Sequence, residues 1–448
     1  MGSFVPHTDP EIDAMLEYLE LGSLEALYGE IPERLKLDGP LKLAKGVSEV
    51  DTLARMSELA AANTPVGKDL VCFAGGGAYD HDLSTAARAL GSRPEFVTSY
   101  TPYQPEVAQG VLQALFEFQS LVCRISGLDI SNASLYDGGS ALVEAVNLAA
   151  SATKRQRVVL SQALNPSFRE MVKTFANGTG HQIVEAPLKG TVTDLDAMDL
   201  TDAAAICIGF PNYLGEVEDL PRLRSMCDAS GALMVVVYDP VSISVLRTPG
   251  ELGADIAVAE GQSLGLPLSF GGPYLGLFSA KTEFTRLVPG RLVGRTVDLD
   301  HKTAYVSTLR TREQDIRREK ASSNVCTNQT LMAVQASIYL SWLGKSGFRE
   351  LGQRCHSATR YLASLLTQIE GVEVLGHSYV REFPIRLPKD ADQVISEMVG
   401  EGFLAGIAIG AGFEGTAVEG SLLVTATEKR TKAEIDGFVD SLRKVLGK

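Results

Sequence analysis

The sequence predicts an α/β protein built on a mostly parallel sheet, with a helical arm before it and a smaller α/β part after it. Three observations carry this. Apolar runs, RVVLS (157–161), QIVEA (182–186), AAICIGF (204–210), LMVVVYD (233–239), DIAVA (255–259) and YLGLFSA (274–280), read as strands; such near-continuous hydrophobic strands belong to a sheet covered on both faces. They alternate with stretches of helical period, the pattern of βαβ units. The 448 residues, 45 % hydrophobic and 21 % charged, supply core for two or three domains at roughly 100–200 residues each.

In chain order, residues 1–67 read as a helical arm. Thr8 caps a first helix with Glu11 three residues on, and Ile12, Met15, Leu16 and Leu19 make its apolar face. Pro32, Gly39-Pro40 and Gly46 break the remainder of the arm into short pieces. Such an arm has no core of its own and packs on the body or on a partner. Residues 68–325 hold the strands above, preceded by two helices, one amphipathic at 110–127 and one opened by Asp137-Gly138-Gly139-Ser140. Residues 326–448 begin with two long helices, roughly 327–343 and 346–368, and end in LLVTATE and a capping box from Thr431 to Glu434.

Composition excludes several functions. Net charge is −14, from 41 basic against 55 acidic residues, and no Lys/Arg tract is long enough to neutralise a run of phosphates, so neither nucleic acid nor anionic membrane is expected as a partner. Six dispersed cysteines without C-x-x-C spacing read as reduced thiols of a cytoplasmic protein. The six histidines are scattered too, so no metal site is expected from neighbouring residues. The first residues lack a secretory or transit pattern, and no apolar run approaches the ~20 residues of a membrane span.

Several motifs sit where strands end, the place at which open α/β sheets hold ligands. DGGSALVEAV (137–146) opens a helix on glycines, which either cradles an anion on free N–H groups or makes a tight turn. Asp239 ends the strongest strand; its carboxylate either pairs with a protonated ring nitrogen or a ligand hydroxyl, or closes an Asp-Pro turn. Asn212, in the PNYLG turn, could face the same crevice. SYTPYQPEVAQG (99–110) stiffens two tyrosines, a glutamine and a glutamate among prolines and reads as a binding or interface element. Arginines gather in VPGRLVGRTVD (288–298) and LRTREQDIRREKASSNVCTNQ (309–329), either as a solvated face or as forks for carboxylate, phosphate or a subunit contact. EGQSLGLPLSFGGPYLG (260–276) has the glycines and position of a cofactor loop, yet no lysine, arginine, histidine or cysteine.

Together with FVPHTDPEIDAML (4–16), these blocks span nearly the whole chain, and they resemble the glycine decarboxylase P-protein family, on the subunit 1 side of its split form. The resemblance implies a fold-type I pyridoxal phosphate (PLP) enzyme in which two homologous subunits share a catalytic unit, usually as α2β2. It implies the reaction as well: glycine is decarboxylated on PLP and the aminomethyl group passes to the lipoyl arm of H-protein. In fold-type I enzymes the Schiff-base lysine follows a strand, at the place where Gln262 and Ser263 stand here; Lys281 comes after the next strand. The resemblance therefore implies that subunit 2 holds the PLP. This chain would complete the shared site through Tyr100, Thr101, Tyr103 and Gln104, with Arg312, Ser323 and Asn324, while Gly138, Gly139, Ser140, Asn212 and Asp239 would be relics of a PLP pocket. The chain departs from the family at Asn165, where a histidine is usual, and at 79–85, which lacks the usual proline. A self-sufficient PLP enzyme would need the missing lysine, and a scaffold without an active site would not need the YTPYQPE and TREQDIRREK blocks.

Overall fold

The structure, a computed structural model, describes residues 6–39, 41–98 and 101–448. It divides into two compact units, one ending at Asn63 and the other spanning Thr64–Lys448; the three-part division read from the sequence is finer than this. In the first unit, α1 (Asp9–Tyr18) and α2 (Glu49–Ala61) build no core: neither helix has a buried residue. The Thr8–Glu11 capping box forms at the start of α1, and Ser48 caps α2 by accepting from the Asp51 N–H.

The second unit is built on seven strands: β1 (Ile130–Ser131), β2 (Arg157–Ser161), β3 (Gln182–Ala186), β4 (Ala203–Phe210), β5 (Leu233–Tyr238), β6 (Ile256–Glu260) and β7 (Gly276–Ala280). Their order is β1-β7-β6-β5-β4-β2-β3. From β6 across to β3 the neighbours run parallel, and β7 is antiparallel to both β6 and β1. All eight residues of β4 are buried, as a central strand covered on both faces requires.

The period of two sorts the side chains of these strands into two layers. Ile206 and Ile208 of β4, Val236 of β5 and Ala257 of β6 face a core that includes Leu112, Leu115 and Phe118 of α3 (Gln109–Ser126). Their neighbours Ala205, Cys207, Val235 and Val258 face the opposite core, with Leu142 and Val146 of α4 (Gly138–Thr153). Gly138 lets α4 start hard against the sheet: a Cβ there would lie 2.7 Å from Phe168 and 2.9 Å from the Glu260 nitrogen.

A hairpin of β8 (Leu292–Val297) and β9 (Thr303–Thr308) leaves this layer. Two glutamines of α3 pin it by pairing with its backbone on both sides, Gln109 with Tyr305 and Gln119 with Val293. The long helix α5 (Thr330–Leu366) is broken at Gly344, with φ 61° and ψ −176°, where the sequence divides it in two. It leads to a four-stranded antiparallel sheet of β10 (Glu373–Val374), β11 (Glu382–Arg386), β12 (Ile407–Ala408) and β13 (Leu422–Thr425), and to α6 (Lys432–Leu446) with its Thr431–Glu434 capping box. This part has an early contributor. Val71–Cys72 pairs in parallel with Phe403–Leu404, and Phe73 is fully buried in a cluster with Phe383, Leu422 and Phe438. No helix among the described residues is long and apolar enough to cross a membrane.

Candidate active site

The carboxyl ends of β4, β5 and β6 bring Asn212, Asp239 and Glu260 to one crevice. β11 starts opposite, with Arg381 just before it and Glu382 as its first residue, and both line the same space. Among the described residues, Gly138, Ser140, Gln262 and Asp239 each have a partner from the chain itself.

The helix start comes first. Free N–H groups at the head of α4 would suit an anion, but Gly138 N–H donates to Glu260 Oε2 at 2.9 Å, and Ser140 N–H donates to Asp137 Oδ1 at 2.7 Å. Glu260 Oε1 also accepts from the N–H groups of Gln262 and Leu275, at 2.9 and 3.0 Å. Burial pushes its carboxyl up to about 7 in spite of these donors. Gly139 allows the close packing of Met171, whose sulfur would lie 3.0 Å from a Cβ.

Gln262 and Ser263 come next, both buried. The Gln262 amide accepts from Tyr79 N–H at 2.9 Å and donates to the Tyr79 and Leu266 carbonyls at 3.1 and 2.9 Å. Ser263 Oγ accepts from Arg381 at 3.3 Å. The one lysine that follows the loop closely, Lys281, pairs with Asp255 at the opposite end of β6.

Asp239 is saturated as well. Oδ1 accepts from Arg381 Nη2 at 2.6 Å and from Val241 N–H at 3.2 Å, while Oδ2 accepts from the N–H and hydroxyl of Ser242. The Arg381 guanidinium lies 3.3 Å from the centre of the Tyr79 ring, a stacking that suits a delocalised cation in a dry site. Tyr79 donates to Glu382, which also accepts from Gly76 N–H at 3.0 Å, and burial pushes the Glu382 carboxyl up to about 7. Arg381 also points at His81 Nε2 from 2.6 Å. Arginine has no acceptor, so that nitrogen accepts and the ring is the neutral Nδ1–H tautomer, donating to Glu428 at 2.6 Å. Cys355 donates to the same carboxylate at 3.3 Å. The His81, Cys355 and Glu428 donor atoms lie within 4.8 Å of one another, but the adjoining guanidinium makes this cluster a hydrogen-bond chain and a poor seat for a cation. The space left in the crevice is about 70 Å³, against the roughly 300 Å³ or more of a small-molecule site.

Of the other residues singled out in the sequence, Asn212 borders the crevice with its polar atoms already engaged, its amide donating to Thr191 and Glu218 and its oxygen accepting from two N–H groups of its own turn. A second group gathers around Tyr103, which is half exposed. Its ring is faced by Arg310 at 4.7 Å and Arg291 at 5.7 Å. Arg312 is not among them: it donates to the carbonyls of Val288 and Gly290 and so braces the loop that carries Arg291. Thr101 and Gln104 flank the tyrosine, Ser323 accepts from Val325 N–H, and Asn324 is exposed. Tyr100 lies outside the described residues.

The sequence reading overlooked Glu260, Tyr79, Arg381 and Glu382. A signal existed for the last two, because adjacent opposite charges opening the apolar strand REFPI cannot both face water.

Residues 2–442 match the family model for the glycine cleavage system P-protein. The chain belongs to the P-protein family. A probable glycine dehydrogenase (decarboxylating) subunit 1 of Desulforamulus reducens is 43 % identical over 438 residues, covering 97 % of both chains. One of Moorella thermoacetica is 41 % identical over 448 residues, covering 99 % of this chain and all of that one. Among solved structures, an inhibitor-bound glycine decarboxylase (P-protein) of the glycine cleavage system superposes with a TM-score of 0.92 at 39 % identity, covering 99 % of this chain and all of the other. A glutamate decarboxylase of Lactobacillus brevis, at TM-score 0.67 and 14 % identity, shows the wider fold alone. The P-protein chain thus has the fold-type I architecture of PLP enzymes, with the crevice of that fold filled from within.

Proposed function

We propose that this chain is the subunit of a two-chain glycine decarboxylase that does not anchor the cofactor. A second subunit carries the PLP lysine, and the pair, as an α2β2 assembly in the cytoplasm, decarboxylates glycine and passes the aminomethyl group to the lipoyl arm of H-protein. The observation that carries this reading is the Arg381–Asp239 ion pair beside Gln262. The carboxylate that would face a ring nitrogen is neutralised by an internal cation, the lysine position is an amide tied to Tyr79, and the anion cradle holds Glu260. These residues do not fit a lysine-held PLP.

PLP, held by the partner, supplies the electron sink for loss of the glycine carboxyl group. The work of this chain is at the interface. Tyr103, faced by Arg310 and Arg291, presents a phenol and the Arg310 guanidinium to an anionic group of the shared site, and Thr101 and Gln104 extend that surface; Tyr100 is a further candidate from the sequence alone. Arg312 is a positioning residue that braces Arg291, and the Ser323–Asn324 loop borders the same site.

The test is to purify the chain alone and with its partner, then record PLP absorbance and exchange of the glycine carboxyl with labelled CO2. Exchange in the mixture, with no cofactor absorbance in the isolated chain, is expected. Schiff-base absorbance in the isolated chain would overturn the reading, and absence of exchange in the mixture would make the chain a scaffold.

A further inference from the structure

Where Gly344 breaks α5, a cavity of about 900 Å³ opens between this helix, the end of α3 and residues 243–251. That is the volume of a ligand site. Leu121 and Ile125 of α3, Ile243, and Leu340 and Phe348 of α5 form its apolar lining. All five belong to the main core or pack directly against it, so the lining is rigid and preformed.

The rim is cationic in a chain of net charge −14. Arg124, Arg247, Lys345 and Arg349 stand around the opening with a single carboxylate, Glu251. Glu251 is engaged by Thr248 N–H at 2.9 Å, and Arg247 gives one N–H to the Glu251 carbonyl at 2.9 Å. Among the described residues, Arg124, Lys345 and Arg349 have neither an ion pair nor a side-chain hydrogen bond. Lys345 and Arg349 stand four residues apart on one helix, a spacing at which like charges repel. An anion between them and Arg124 would remove that repulsion, and an arginine fork suits a carboxylate in particular.

We infer that this cavity binds an amphiphilic carboxylate, with its acyl chain on the apolar lining and its head group at Arg124, Lys345 and Arg349. The site shares no residue with the Asp239–Arg381 crevice and goes beyond the proposed subunit role.

Calorimetric titration of the full chain, alone and in its assembled complex, with hexanoate, octanoate and decanoate tests this. Saturable binding at one site is expected, each added methylene tightening it by up to about fourfold. Octanol should bind at least about tenfold more weakly than octanoate, as should octanoate to the rim variant Lys345→Glu/Arg349→Glu. Leu340→Trp should weaken octanoate binding by intruding on the apolar lining; if that variant fails to fold, the rim variant decides, because both its side chains are exposed. The inference is overturned by no saturable binding, by affinity independent of chain length, by octanol binding as well as octanoate, or by an unchanged rim variant. Loss of binding on assembly would also overturn it, since the cavity would then be a subunit contact.

Discussion

Arg381 Nη2 donates to Asp239 Oδ1 at 2.6 Å across 142 residues of sequence, joining the start of β11 to the end of β5. The arginine side chain is 2 % exposed, so its charge has no recourse to water. With the Arg381–Ser263 bond, this contact closes the crevice of the large sheet against the small one.

Removing one partner of such a pair leaves an uncompensated buried charge, at a cost of about 3–5 kcal/mol. Asp239→Asn and Arg381→Met should each lower stability by that order in denaturant unfolding. The double variant should lose much less than the sum. Additivity within about 0.5 kcal/mol would show that the two side chains are uncoupled.

Restoring a lysine should not restore a PLP site. Gln262→Lys leaves Asp239 held by Arg381 and the head of α4 held by Glu260, while deleting three hydrogen bonds to Tyr79 and Leu266. The isolated variant should therefore show no Schiff-base absorbance with added PLP, and should lose about 1–3 kcal/mol from groups left unsatisfied. Absorbance gained by this single change would mean that the internal partners yield easily.

Glu260 imposes a pH signature. Its folded carboxyl, pushed up to about 7 by burial, stands above its unfolded value of 4.5. Its contribution to stability is fully present below pH 4.5 and is lost as pH rises through 7. Glu260→Gln lacks this titration, so the stability of the variant relative to the parent should rise between about pH 5 and 7.5, by about 1.4 kcal/mol for each unit of the shift. Parallel stability curves for the two proteins would refute the assignment.

Tyr103→Phe, tested in the assembled enzyme, should lower kcat/KM for glycine decarboxylation by about 10–100-fold, the worth of one hydrogen bond to a charged group. Arg310→Ala should have an effect of similar direction, because it frees the ring that it faces at 4.7 Å. Subunit affinity measured alongside separates a catalytic effect from weakened assembly. Unchanged kcat/KM in both variants would remove Tyr103 from the shared site.

The sheet was legible because its physics is local. The buried runs of β2, β4, β5 and β6 are continuous and apolar, and the Thr8, Asp137 and Thr431 caps sit within a turn of the groups they cap. The site was legible only at strand ends. Asp239 and Gln262 were found by position, but the groups that satisfy them come from Arg381 and Tyr79, at separations of 142 and 183 residues that no spacing rule spans. Glu260 carries no such signal, because a cofactor anchor is expected to be a cation or a nucleophile, whereas the residue at this loop is a carboxyl that takes up the N–H groups itself. Arg312 illustrates the converse: its guanidinium is turned inward to backbone carbonyls, and only the three-dimensional arrangement picks out Arg291 and Arg310 beside Tyr103.

The pairing of Val71–Cys72 with Phe403–Leu404 has a consequence for biogenesis. During translation the early segment leaves the ribosome with an unpaired edge and an uncovered Phe73, and both wait until the last turns of the chain emerge. A product cut short before residue 403 is left with that edge open. Closing this seam therefore waits on synthesis through Leu404.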